Sequence, residues 1–358
     1  MQHAIVYREP RRCAAWPANY GIWAWGDEIV VGFTSGHLNI HDTFHARDKS
    51  RPFETLQARS MDGGESWSVT PFPGRTPGGR GLSADEHMHP GLQVAELLDG
   101  PEAPAPPPGG IDFTHPDFAL MCARSGLVAG ARSWFYVSTN RCRSWQGPYA
   151  LPTYDQAGIA ARTDYVALGR EACLLFLTAT KSNGDEGRPF CVKTTDGGRS
   201  FPFLAWIGPE PAEGHAIMPA SVALGPDHLL TAVRRSGKPH GFIDLYESRD
   251  GGRTWAYSGK PVADTGRGGN PPTLTRLADG RLCITYGFRA EPYGIRAVLS
   301  DDAGRTWGEP LVLRADAGNH DIGYPRTVQR ADGKLVTVYY YNDDPDGERY
   351  IGATIWEA

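Results

Sequence analysis

Ser60-Met61-Asp62-Gly63-Gly64-Glu65-Ser66-Trp67 is the stretch that decides the fold, because the chain repeats it. Thr194-Thr195-Asp196-Gly197-Gly198-Arg199-Ser200-Phe201, Ser248-Arg249-Asp250-Gly251-Gly252-Arg253-Thr254-Trp255 and Ser300-Asp301-Asp302-Ala303-Gly304-Arg305-Thr306-Trp307 share its pattern. Ser138-Thr139-Asn140-Arg141-Cys142-Arg143-Ser144-Trp145 is a worn fifth copy, with Asn for Asp and Cys for Gly. Successive starts lie 78, 56, 54 and 52 residues apart, the mark of an array of one supersecondary unit. Within each copy a short acid accepts hydrogen bonds from N–H groups of its own turn, and Gly takes the positive φ the turn needs. The closing aromatic packs under the sheet. These Asp residues are therefore staples, not catalysts.

The motif resembles the Asp box of sialidases and related β-propellers, where it closes the hairpin between the two outer strands of a blade. The residues upstream of each box supply the rest of a blade. Inner strands open at Trp16-Pro17, His115-Pro116, Arg162-Thr163-Asp164, Met218-Pro219, Asn270-Pro271 and Tyr324-Pro325. Apolar second strands follow at 28–33, 133–137, 173–177, 228–233, 281–286 and 334–339, with Asp279-Gly280 and Asp332-Gly333 as hairpin turns. That gives six units and five boxes. The spare N-terminal run Ala4-Ile5-Val6-Tyr7 supplies the missing outer strand after Ile351–Trp356 and closes the ring.

The expectation is an all-β, six-bladed β-propeller of four-stranded antiparallel blades, one domain over 1–358. A seven-bladed ring is the alternative if the long first spacing hides a blade. That spacing holds a Pro/Gly-rich insertion at about 71–112, too rich in both for a central strand and expected to overhang the pocket.

Composition agrees. Aromatics at 11 %, 44 Gly and 29 Pro suit short strands joined by tight turns. A net charge of −5 argues against nucleic acid or a membrane surface as partner, and no stretch approaches the ~20 apolar residues of a membrane span. Six scattered cysteines without a CxxC pair read as reduced buried thiols, and the N-terminus lacks a signal-peptide pattern, so a cytoplasmic protein is expected. Oligomeric state is not legible.

Successive inner strands of a propeller run the same way, so their opening residues meet at one mouth. Connections between second and third strands surround that mouth, and the boxes fall on the opposite face. Blade one brings Arg11, Arg12, Trp16, Asn19, His37, His41, His45 and Asp48; the second brings His115 and Asp117. Arg162, Asp164, Lys181 and Glu186 come from the third, Arg234 and Arg235 from the fourth. Asn270, Arg289 and Arg296 come from the fifth, Tyr324 and Arg326 from the sixth. A buried Arg costs desolvation unless an anion pairs with it, and its fork binds carboxylates at two points. A converging set therefore fits an acidic sugar, whereas any one of them also fits a rim residue paired with a neighbouring acid.

Sialidases grip a substrate carboxylate with three arginines and use a tyrosine nucleophile assisted by a glutamate, with an aspartate acid/base. By resemblance, Gly323-Tyr324-Pro325 is similar to the segment carrying the tyrosine, Arg234 to the second arginine, Arg289 or Arg296 to the third, and Asp48 to the acid/base. Arg162, Arg326, Arg12, His37 and Asn270 complete the expected substrate contacts, with Asp164 a further catalytic candidate. Two positions depart from the pattern. Ala15-Trp16-Pro17 stands where the first arginine belongs, and Met218 stands at the glutamate; a thioether cannot activate a phenol with an ordinary pKa of ~10. Asp164, Glu186 or Asp117 could substitute.

The expected function is a sialidase-like glycosidase releasing a terminal acidic sugar, without cofactor. His37-His41-Asp42-His45 and Asp85-Glu86-His87-His89 have ligand-type residues but no defined metal spacing, so no metal is expected. The alternatives are a polysaccharide lyase acting on uronates, with Tyr or His as base, and a non-catalytic glycan-binding propeller.

Overall fold

The computed structural model describes residues 1–41, 44–79, 81–82, 98–237 and 239–358. Six antiparallel sheets follow one another around a central axis. Strand β1 (Gln2–Tyr7) belongs to the last of them. Blade one holds β2 (Arg12–Ala15) and β3 (Ile22–Trp25), both paired with β4 (Glu28–His37), then β5 (Glu54–Ser60) and β6 (Ser68–Pro71). The short helix α1 (Pro17–Tyr20) joins β2 to β3. Blade two holds β7 (Ala119–Arg124), β8 (Ser133–Ser138) and β9 (Gln146–Ala150). Blade three runs β10 (Tyr165–Ala167), β11 (Cys173–Thr180), β12 (Glu186–Thr194) and β13 (Phe203–Trp206). Blade four is β14 (Ala216–Ala223), β15 (Leu229–Arg235), β16 (Gly241–Ser248) and β17 (Ala256–Gly266). The fifth is β18 (Thr273–Arg276), β19 (Leu282–Phe288), β20 (Gly294–Ser300) and β21 (Leu311–Arg314). The sixth is β22 (Gly323–Gln329), β23 (Leu335–Tyr341) and β24 (Tyr350–Trp356), completed by β1.

The ring is closed as the spare N-terminal strand suggested: β1 pairs antiparallel with β24, with Ala4 opposite Ala353. Strands such as β23 are buried along their whole length, because each blade is covered by a neighbour on both faces. Six apolar clusters result, one at each junction between adjacent blades. All six cysteines are buried and free. No helix among the described residues is long and apolar enough to cross a membrane.

The box turns have the staple geometry. Ser60 Oγ accepts from Gly64 N at 2.8 Å, Asp62 Oδ1 accepts from Ser66 N at 2.9 Å, and Trp67 Nε1 donates to Gly64 O at 2.9 Å. Hydrogen bonds from the Ser or Thr hydroxyl four residues on, and from the amide of that residue, hold the Asp62, Asp196, Asp250 and Asp302 carboxyls at about 2. In the worn copy Asn140 Oδ1 still accepts from Ser144 N at 3.0 Å. Its two lost glycines leave Arg141 and Cys142 at φ 57° and 59°, in left-handed backbone.

Blade two departs from the sequence reading. The box at 138–145 joins β8 to β9, so Ser133–Ser138 is the third strand and not the second. β7 takes the second position, which puts His115 and Asp117 on the box face instead of the mouth. Asp117 there accepts from Arg141 Nε at 2.6 Å. The described end of the insertion also differs from expectation. From Asp99, paired with Arg132, it follows the outer edge of β9, where Ala105 N donates to Pro148 O at 2.9 Å. It reaches the third blade's box, where Ile111 N donates to Gly197 O at 2.9 Å.

Candidate active site

Three innermost segments carry a residue that precedes proline and has a positive φ: Trp16, between β2 and α1, at 61°, Met218 in β14 at 54° and Tyr324 in β22 at 51°. A following proline steers a residue away from helical backbone, and left-handed backbone costs a non-glycine residue about 1–3 kcal/mol. Packing has to impose it. Asn270 does so for Tyr324: its Oδ1 accepts from Tyr324 N at 3.0 Å and from Gly287 N at 3.2 Å, while Nδ2 donates to Ile322 O at 3.1 Å. Asn270 is thus committed to the backbone beside Tyr324. Trp16, Met218 and Tyr324 are buried in one cluster with Tyr340 and Ile217, so openings from blades one, four and six converge.

Arg234, near the end of β15, donates from Nη1 to Tyr324 Oη at 2.9 Å, with the Met218 sulfur 3.7 Å from the same nitrogen. Its Nη2 donates to Gly268 O at 2.8 Å. Arg289, just after β19, donates to Ile322 O and Gly269 O at 3.0 Å each and to Tyr340 Oη at 2.7 Å. Arg234 is 6 % exposed and Arg289 1 %, yet neither has a carboxylate partner among the described residues. Two buried guanidinium groups that meet neutral atoms alone, with Arg234 Nε left without a hydrogen bond, leave uncompensated positive charge, which favours an anion. Burial pushes the Tyr324 phenol up, but Arg234, Arg289 and Arg162 outweigh it and bring the phenol below its ordinary value. His215 lies in the same field: burial, then Arg234, Arg162, Lys181 and Arg235, hold it down to about 2.

Sequence reasoning missed the group on the other side of Tyr340. Asp321, 2 % exposed, accepts from His45 Nδ1 at 2.7 Å, Ala46 N at 2.8 Å, Arg349 Nε at 2.9 Å and Tyr340 Oη at 3.0 Å. The connection after β4 thus reaches across to blade six. Phe44 beside it lies over Arg289, 5.2 Å from ring centroid to Cζ. Asp321 follows no motif, so only the folded chain reveals it.

The remaining candidates do not gather in one place. Arg162 stays near the phenol, paired two-point with Glu186 and donating to Asn19 Oδ1 at 3.2 Å. Arg326 and Asp164 lie deeper, beside a cavity of about 310 Å³. Arg326 bridges to Ala18 O and Thr163 O, and Asp164 accepts from Ser221 Oγ at 2.7 Å. Burial pushes Asp164 up to about 7, against Ser221 and Arg326. Arg12 and His37 lie 3.1 Å apart and line a separate cavity of about 620 Å³ with Arg11, His41 and Arg51. Asp48 is tied to Ser50, whose hydroxyl hydrogen bond leads in holding its carboxyl below the usual range, the opposite of what a proton donor needs. Arg296 stacks on Phe288 at 3.4 Å. Among the described residues no cluster could hold a metal ion; Asp42, Asp85, Glu86, His87 and His89 lie outside them.

A model of the BNR repeat-like domain matches residues 128–337, more than half of the chain. The chain belongs to the BNR repeat-like family. Solved structures of similar fold include a protein of unknown function from Dyadobacter fermentans (TM-score 0.73, 20 % identity, covering 99 % of this chain and 97 % of that one). The NanB sialidase of Streptococcus pneumoniae follows at TM-score 0.61 and 11 % identity, covering 95 % and 68 %. The α-L-arabinofuranosidase Arb93A of Fusarium graminearum has TM-score 0.59 and 12 % identity, covering 97 % of each chain. No curated protein matches the sequence. At such identities the likeness of this BNR repeat-like chain to these enzymes is one of fold, and its chemistry has to be argued from its own side chains.

Proposed function

We propose that the mouth is a glycosidase active site that hydrolyses the bond to a terminal acidic sugar. One contact carries this reading: the phenol of Tyr324 held by the guanidinium of Arg234 near the buried Arg289, neither guanidinium having an acid partner among the described residues. Arg234 and Arg289 bind the sugar's carboxylate and so fix the anomeric carbon over Tyr324, whose phenol attacks it. The same positive field stabilises the phenolate as leaving group in the second half-reaction. The fold shared with a sialidase and an arabinofuranosidase supports a carbohydrate substrate. A panel of chromogenic glycosides of sialic acid, uronic acids and neutral sugars tests it. Turnover confined to the acidic members, and lost in Tyr324→Phe, is expected; turnover of neutral members alone would remove the reading.

A second reading is elimination from a uronate, with Tyr324 moving the proton and the arginines neutralising the carboxylate. Met218 favours it, since a thioether beside the phenol supplies none of the assistance that the sialidase glutamate gives. An unsaturated product absorbing in the ultraviolet appears only by that route.

A further inference from the structure

Hydrolysis through Tyr324 needs a group that accepts the phenol proton and one that delivers a proton to the departing oxygen. Met218 can do neither, and Asp48 is held ionised at Ser50. We propose that His45, oriented by Asp321, performs both transfers, so that Tyr324, His45 and Asp321 act as nucleophile, base and orienting acid. This rests on the reading of Tyr324 as nucleophile.

Asp321 fixes the tautomer. Accepting from Nδ1 at 2.7 Å, it places the ring proton there and leaves Nε2 as the acceptor. The Ala46, Arg349 and Tyr340 contacts fill the remaining lone pairs of Asp321 and prevent it from turning away. The His45 side chain keeps 14 % exposure, and no described residue hydrogen-bonds its Nε2. His45 and Tyr324 both pack on Tyr340, with ring centroids 6.4 Å and 5.9 Å from it, so the two rings share one neighbour and the transfer between them runs through a relaying substrate hydroxyl or water. The groups facing the imidazole are Asp321, Tyr340, Arg47, Arg289 and Arg349, with His320 across Phe44. Burial, together with Arg47 and Arg289, outweighs Asp321 and pushes His45 down to about 4, so it rests as the neutral base.

The protons balance without a co-reactant. As Tyr324 Oη bonds to the anomeric carbon, a relaying water or sugar hydroxyl carries the phenol proton to Nε2, which gives it to the glycosidic oxygen on the opposite face as that C–O bond breaks. Water, giving its proton to Nε2, then attacks the anomeric carbon as the bond to Tyr324 breaks, and the phenolate recovers that proton through the same relay.

The test uses a glycoside that the wild type hydrolyses, together with a fluorinated analogue that traps the sugar on the enzyme. In His45→Gln, kcat is expected to fall roughly 100- to 10,000-fold with KM within a few-fold. The acid limb of wild-type kcat/KM, set by His45 at about 4, should vanish, and added imidazole should restore turnover to His45→Ala. Asp321→Asn should reproduce the kcat loss more weakly. A His45→Gln variant with wild-type kcat and pH profile would overturn the role, as would loss without imidazole rescue. An equal loss in Asp48→Asn, with His45→Gln unaffected, would return the role to Asp48. If the wild type forms no sugar adduct on Tyr324, the nucleophile itself is wrong and His45 loses its function with it; if His45→Gln traps the sugar at the wild-type rate, His45 alone is wrong.

Discussion

Two clusters of arginine sit on opposite faces of the ring, and their counter-charges differ. On the box face Glu28, 4 % exposed, accepts from Arg59, from Arg141 at 3.1 Å and from Arg143 at 3.0 Å. Arg141 is shared with Asp117. Burial raises the Glu28 carboxyl, but the three arginines outweigh it, so the acid stays charged and ties blade one to the worn box of blade two. At the mouth, Arg234 and Arg289 are more deeply buried and meet carbonyl and phenol oxygens and the Met218 sulfur, with no carboxylate among the described residues. The same residue type is mortar where an acid answers it and a source of uncompensated positive charge where none does.

Breaking the mouth should give the largest effect. Tyr324→Phe should take turnover to background with thermal stability almost unchanged, read by steady-state kinetics beside a melting curve. Wild-type rates would remove the phenol from the chemistry. Next, Arg234→Ala should weaken binding of an acidic sugar by ~2–5 kcal/mol, as for one partner of a desolvated charge pair, and much less for its neutral methyl ester. Calorimetric titration of both ligands measures this, and equal losses would end the carboxylate assignment.

Breaking the box face should change stability and leave kinetics alone. Glu28→Gln should cost about 2–4 kcal/mol in denaturant unfolding, below the full figure for a buried pair because Arg141 and Arg143 reach solvent. A kcat defect in the folded fraction would contradict the contrast. The smallest effect concerns pH. The box carboxyls sit at about 2 against an ordinary 3.8, so their stabilisation is complete above that ordinary value and is lost as pH falls through 2. Asp250→Asn, which copies the non-titrating Asn140, should lower the melting temperature by a few degrees at most near neutrality. It should also flatten the acid-side loss; an unchanged acid profile would mean that this carboxylate contributes nothing.

Much of the architecture was legible because its signals are local. A box turn encodes its own hydrogen bonds, and Ala4–Tyr7 had no partner except the open edge of the last blade. Strand direction and the sialidase resemblance point Tyr324 and Arg234 to one mouth, and the folded chain places them in contact. The failures are long-range. The insertion shifted blade two by one strand, which put His115 and Asp117 on the wrong face. Asn270 bears a ligand-type side chain but spends it on the backbone of Tyr324, and Arg326 does likewise with Ala18 and Thr163. Asp321 is a bare acid in a loop until folding brings His45 to it.

The most direct test of the contrast is a crystal structure of Tyr324→Phe soaked with the acidic sugar the wild type releases. The carboxylate is expected within hydrogen-bonding distance of both Arg234 and Arg289, with the anomeric carbon over position 324. A sugar bound elsewhere, or with its carboxylate turned to solvent, would contradict it.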